Sequence, residues 1–229
     1  MKISTAHIAD EIEYVNLERL TFLVDGVFAI TLTLLVLELR LPEGLVSLPA
    51  SLLAVLPRLY IYFIAFYSIA NHWVVHQRMF RHITGADTTV LWLTILGLLF
   101  ITLIPAATAI VGRYPAEALA AACFSANSFL QALATWLFWS YVSKRTDRFA
   151  ARSDPKLLRI TSRVWLVISI GWLISIALGF ANVYAAYVSW VLWPNLVALW
   201  ANRQRQRLQA EAAHPKAKRV SKKERMRRS

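Results

Sequence analysis

The sequence predicts an all-α fold: a polytopic membrane protein with six transmembrane helices. Two observations carry the class and a third its orientation. The 229 residues are 58% hydrophobic and 17% charged, with a mean hydropathy of +0.49. A water-soluble domain of this size cannot hide that much apolar surface in one core. Runs without Asp, Glu, Lys or Arg reach the roughly 20 residues that a helix needs to cross about 30 Å of hydrocarbon. There are 25 such residues between Asp87 and Arg113, 26 between Glu117 and Lys144, and 39 between Arg163 and Arg203. The 25 basic residues, finally, fall very unevenly among the resulting loops.

Residues 1–18 form a lead-in where Ile3, Ile8, Ile12 and Val15 stand among the acids Asp10, Glu11, Glu13 and Glu18. The pattern suits a short amphipathic helix or an ordinary mobile terminus. It has no short cleavage-site pattern, so the first apolar segment is expected to stay in the mature protein. Six spans then fall near 20–39, 55–77, 88–111, 118–142, 160–180 and 185–202. The first contains Asp25 and Glu38, and the second is the run from Leu59 to Gln77. The third and fourth each fill one uninterrupted run. The 39-residue run is long enough for two helices, and Gly179-Phe180-Ala181-Asn182 supplies the turn between them. Residues 19–202 therefore read as one membrane domain, and 203–229 as a basic polar tail, disordered toward its end. No internal repeat stands out. Six helices leave little room for a central pathway within one chain, which makes an oligomer around a shared axis attractive.

With the N-terminus in the cytoplasm, that side holds 22 basic residues: Lys2, Arg19, Arg78, Arg81, seven from Lys144 to Arg163, and eleven after Trp200. The other side holds three, Arg40, Arg58 and Arg113. This asymmetry sets both termini on the cytoplasmic side of a cell membrane. The formal charge of +12 is thus mostly topology, and the tail reads as facing anionic lipid rather than nucleic acid. The single Cys123 excludes an intrachain disulfide.

Ionisable groups inside a span mark a pathway, a cavity or a structural pair. Asp25 stands about two turns into the first span beside Gly26, which permits close approach of another backbone. In one reading Asp25 and Arg19 simply snorkel at the interface. In the other they belong to an inter-helix network. Six residues apart, they lie about 120° from each other around an ideal helix and should not pair directly. The second span offers Asn71, His72, Trp73 and His76 at similar depth, and a buried network of Arg19, Asp25 and His72 would satisfy groups that are costly alone.

The same wheel places Ile30, Thr33, Leu34 and Leu37 on one face, with Asp25 turned about 140° from Ile30. Repeated around an oligomer axis, such a stripe could form a hydrophobic constriction. On spacing alone, an ordinary packed helix face explains it better. His72 and His76 have the i, i+4 spacing of two metal ligands, but neither carboxylate nor thiol joins them in the span, so no metal site is expected. Nothing arranges Ser, His and Asp as a nucleophile, and no enzymatic activity is expected.

Arg19-x-x-x-Leu23-Val24-Asp25, followed by Gly26-Val27-Phe28-Ala29-Ile30, resembles the Arg-x-x-x-Phe-Ser-Asp signature opening the first helix of the transmembrane protein 175 potassium channels, in particular their bacterial six-helix members. Leu35 to Pro42 resembles that helix's exit, Asn71-His72-Trp73 through His76 and Phe80 the second span, and Leu99 to Pro105 through Tyr114-Pro115 the third. The likeness covers roughly the first half of the chain. Spans four to six agree only in number, length and charge asymmetry. Leu23 and Val24 replace the signature's Phe and Ser, which removes one hydroxyl from the network.

The resemblance implies a channel selective for potassium over sodium, a homotetramer whose pore is lined by the first helix of each subunit. Carried over by position, Ile30 is the main constriction, Leu34 and Leu37 are further rings toward the outside, and Thr33 is a hydroxyl layer influencing selectivity. Arg19 and Asp25 belong to the structural network. The permeant potassium ion and the lipid bilayer are the expected partners, and no cofactor is expected. The chain has no Thr-Val-Gly-Tyr-Gly filter, so selectivity by stacked carbonyls of that type is not available. The rival readings are a secondary transporter with Asp25 and His72 as a proton relay, a membrane enzyme or metal-binding protein built on His72 and His76, and a non-transporting scaffold.

Overall fold

The computed structural model describes residues 16–39, 47–149 and 154–228, and every regular element among them is helical. Helix α1 spans Leu17–Leu34 and runs on into a single 3-10 turn, Leu35–Glu38. Asn16 starts it by accepting from the amides of Glu18 (3.0 Å) and Arg19 (3.2 Å), two of the donors that a helix start leaves unpaired. There follow α2 (Leu48–Phe80), α3 (Thr88–Thr102), α4 (Ile104–Arg113), α5 (Ala118–Lys144), the single turn α6 (Thr146–Phe149), α7 (Pro155–Ala181) and α8 (Val183–Arg228). Among the described residues, five segments are long and apolar enough to cross a membrane: Leu17–Glu38, Thr88–Arg113, Ala118–Lys144, Pro155–Ala181 and Val183–Leu208. The predicted second span, 55–77, lies within the 33-residue α2.

Where the structure departs from the sequence reading, a local cause is visible. The third span is broken between α3 and α4 rather than continuous. Pro105 has no amide hydrogen to donate, and it sits in the first turn of α4, where none is required. The Asn127 side chain of α5 donates to the Phe100 carbonyl at 3.0 Å, tying the broken helix to its neighbour. The expected turn in the last apolar run is present. Asn182 alone leaves the helical conformation and caps α8, its side chain accepting from the amides of Tyr184 (2.9 Å) and Ala185 (3.3 Å). Beyond residue 202, in the basic tail expected to be disordered toward its end, the backbone continues as helix to Arg228. Residues 1–15 of the lead-in and 40–42 of the first helix's exit lie outside the described residues.

Helix α5 occupies the middle of the bundle, with α7 on one side and α3 and α4 on another, while α8 packs chiefly on α7. Polar side chains join three of these helices inside the apolar bundle. Ser125 of α5, Ser175 of α7 and Ser189 of α8 meet Oγ to Oγ at 3.0–3.1 Å, and the Trp190 indole donates to Ser125 (3.0 Å) and Ser175 (2.9 Å). Groups this size, once out of water, must find partners in one another. Trp193 lies flat against Gly171 and donates to the Val167 carbonyl at 3.1 Å. A Cβ at Gly171 would stand 1.7 Å from the indole nitrogen, so the glycine is what admits the ring. At the other end of α5, the buried Asp87 caps α3 through the Val90 amide (2.8 Å) and accepts from the Tyr141 hydroxyl (2.6 Å).

Candidate functional site: the outer face of the first helix

Helix α1 lies at the edge of the bundle, against α2, α3 and α4. Leu20, Val24, Phe28, Thr31 and Leu35 recur every three or four residues and are all buried against the rest of the chain. That set is the helix's structural face. Only 28% of its apolar window is buried in this way, against 50% for α5.

The opposite face carries a second apolar stripe. Ile30, Leu34 and Leu37 are 60%, 47% and 58% exposed, and Phe22 and Leu23 extend the stripe toward the helix start. Gly26 lies one turn before Ile30 with open space where a Cβ would be. Thr33 is exposed on the same side and donates its hydroxyl proton to the Ile30 carbonyl at 2.8 Å. Its oxygen lone pairs are not used in that bond and can still accept. A groove runs along the start of this face, lined by Arg19, Phe22, Leu23, Gly26, Val27 and Ile30, with Leu91 of α3 at its side. One helix thus carries two apolar faces, one buried against the rest of the bundle and the other largely exposed among the described residues.

Asp25 points to neither. It accepts hydrogen bonds from the Trp73 indole at 2.9 Å and from the Gln77 side-chain amide. Trp73 and Gln77 are one turn apart on α2, so both face α1. His72 is rotated by one position and faces into the bundle, where its Nδ1 meets the Ser68 carbonyl at 3.0 Å and its ring lies 5.1 Å from that of Trp165. Arg19 is exposed. The expected network of Arg19, Asp25 and His72 is thus not brought together within one chain. The carboxylate instead uses the neighbouring face of the same α2 segment. Spacing alone gave Gln77 as good a claim as Trp73, but an amide attracts less notice than a histidine.

His72 and His76 line a cavity of about 50 Å3 with Phe28, Thr94, Gln131 and Thr135. His76 stacks on Phe80 at 3.9 Å. His72 Nε2, His76 Nδ1 and Gln131 Oε1 are buried there without a protein partner. Among the described residues, no group of three or more His, Cys, Asp and Glu side chains is placed to hold a metal ion.

A bundle of long apolar helices, with an exposed apolar face on the first, defines a multi-pass α-helical membrane protein. A family model described as "Endosomal/lysosomal potassium channel TMEM175" matches residues 19–105, which hold α1 from Arg19 onward and the Asp25 contacts. A potassium channel of Streptomyces collinus is 30% identical over 164 residues, 69% of this chain and 80% of that one. Another from Chamaesiphon minutus is 28% identical over 173 residues, 72% and 85% of the two chains. The crystal structure of a lysosomal potassium-selective channel TMEM175 homolog from Chamaesiphon minutus matches with a TM-score of 0.71 at 26% identity, over 81% of this chain and 98% of that one. The chain belongs to the TMEM175 potassium channel family.

Proposed function

We propose that this chain conducts potassium ions passively, in preference to sodium, as a homotetramer whose pore is lined by α1. Residues 19–202 form the channel domain, crossing a cell membrane six times with both termini in the cytoplasm, and 203–229 form its basic cytoplasmic extension. The observation that carries the reading is the exposed stripe of Ile30, Leu34 and Leu37 on a helix already packed by its other face. Four such stripes around one axis make narrow apolar rings, which control permeation by excluding water. Ile30 forms the main constriction, Leu34 and Leu37 form further rings, and Thr33 contributes a hydroxyl layer that a partly dehydrated cation contacts. Asp25, with Trp73 and Gln77, fixes the rotation of α1 so that this stripe faces the axis. The permeant ion is the only small partner the reading requires.

Single-channel recording of Ile30→Asn in planar bilayers tests the assignment. A hydrated side chain at the constriction is expected to raise unitary conductance several-fold over the wild type. Unchanged conductance in that variant, with the protein folded and tetrameric, removes Ile30 from the pore.

A further inference from the structure

The basic end of the bundle holds a second feature, independent of conduction. Arg78 and Arg81, from the end of α2, and Arg205 of α8 converge on a pocket of about 570 Å3 at the start of α7. One carboxylate, Asp154, lines it as well. That carboxylate is engaged in capping α7, accepting from the Lys156 amide at 2.8 Å. Among the described residues none of the three arginines is paired with it or with another acid. Arg205 is half-buried, its Nε is buried without any acceptor, and the charge of Arg78 bears on it. Three guanidinium groups at one mouth, one of them desolvated and short of an acceptor, make an arrangement that repels itself until an anion enters.

The walls narrow the choice of anion. Trp139, Leu158 and Leu208 line the pocket beside the arginines, and Thr161 adds a hydroxyl. A planar guanidinium fork matches phosphate oxygens in pairs. Basic pockets between helices at a membrane face are suited to phospholipid headgroups whose chains run along apolar walls.

We propose that this pocket binds a phosphate-bearing anion, with Arg78 and Arg205 as its principal ligands and Arg81 at the rim. The shared chemistry is a phosphoryl group, and its source is an acidic phospholipid headgroup or free phosphate. The pocket is distinct from the α1 stripe, so it stands or falls apart from the conduction reading.

The purified full chain distinguishes the two sources. Native mass spectrometry after delipidation, with phosphatidylglycerol or phosphatidylcholine added back, reads the lipid. Equilibrium dialysis against labelled inorganic phosphate reads the free anion. Retention of phosphatidylglycerol over phosphatidylcholine is expected, with affinity falling about tenfold or more in Arg78→Gln and Arg205→Gln and staying at the wild-type value in Arg113→Gln at the opposite end. Phosphate binding lost in the same two variants assigns the site to the free anion and equally supports it. Should Arg205→Gln fail to fold, the exposed Arg81→Gln keeps the test open, with a smaller loss expected. No preference for the acidic lipid together with no phosphate binding, or a preference that survives all three variants, overturns the proposal.

Discussion

Asp25 accepts from Trp73 and Gln77, and its removal leaves two donors of α2 facing α1 without an acceptor. A donor left unsatisfied away from water costs about 1–3 kcal/mol. Asp25→Ala is therefore expected to lower the thermal unfolding midpoint of the detergent-solubilised protein clearly, and Asp25→Asn, which keeps a carbonyl oxygen in place, to lower it less. Equal midpoints for all three proteins would deny the carboxylate its structural role. The exceptional nature of Asp25 was plain from the sequence, since carboxylates are costly in apolar spans. Its partners were less so: a histidine stands out on a helix wheel, whereas the two residues that meet the carboxylate are an indole and a neutral amide. Gly171 was not singled out by sequence at all, because its importance lies in a ring 22 positions later in the chain. Gly171→Ala should displace Trp193, forfeit its bond to Val167 and cost about 1–3 kcal/mol by overpacking, read from the same melting assay.

At the scale of elements, α1 and the α7–α8 hairpin show two different degrees of legibility. The hairpin turn was readable because Gly and Asn interrupt an apolar run and asparagine caps the following helix. Asn182→Ala is expected to cost about 1 kcal/mol, loosening the hairpin without changing its helices. An unchanged midpoint would mean that α8 is held by packing alone. The break before Pro105 is hard to read because, Thr102 apart, the flanking residues are apolar and the run passes through it without a charge. The helical continuation of α8 was missed for the opposite reason: no apolar stripe marks a polar helix that extends outward from a packed one. For α1 the wheel located a stripe but could not distinguish a face packed within the chain from one left bare. That distinction needed the positions of α2, α3 and α4, which bury Leu20, Val24 and Phe28 and leave Ile30 and Leu34 outside.

For the whole molecule, composition and run lengths sufficed for the membrane class, because lipid imposes one rule on every spanning backbone. The family resemblance rests on the first half of the chain, and relatives covering most of the chain carry it. Assembly is a property of several chains, and no single sequence spells it out. A face like that of Ile30 and Leu34 gains from closing on copies of itself around a symmetry axis. Native mass measurement of the purified protein is therefore expected to give four copies of the 26.0 kDa chain, and a monomer stable in mild detergent would count against a shared pore. The most direct test of the central claim is the reversal potential across a planar bilayer holding the protein, with potassium chloride on one side and equal sodium chloride on the other. Potassium-selective conduction gives channel currents that reverse far from zero, with the potassium side negative. Currents reversing at zero, or no cation current from correctly assembled protein, would contradict it.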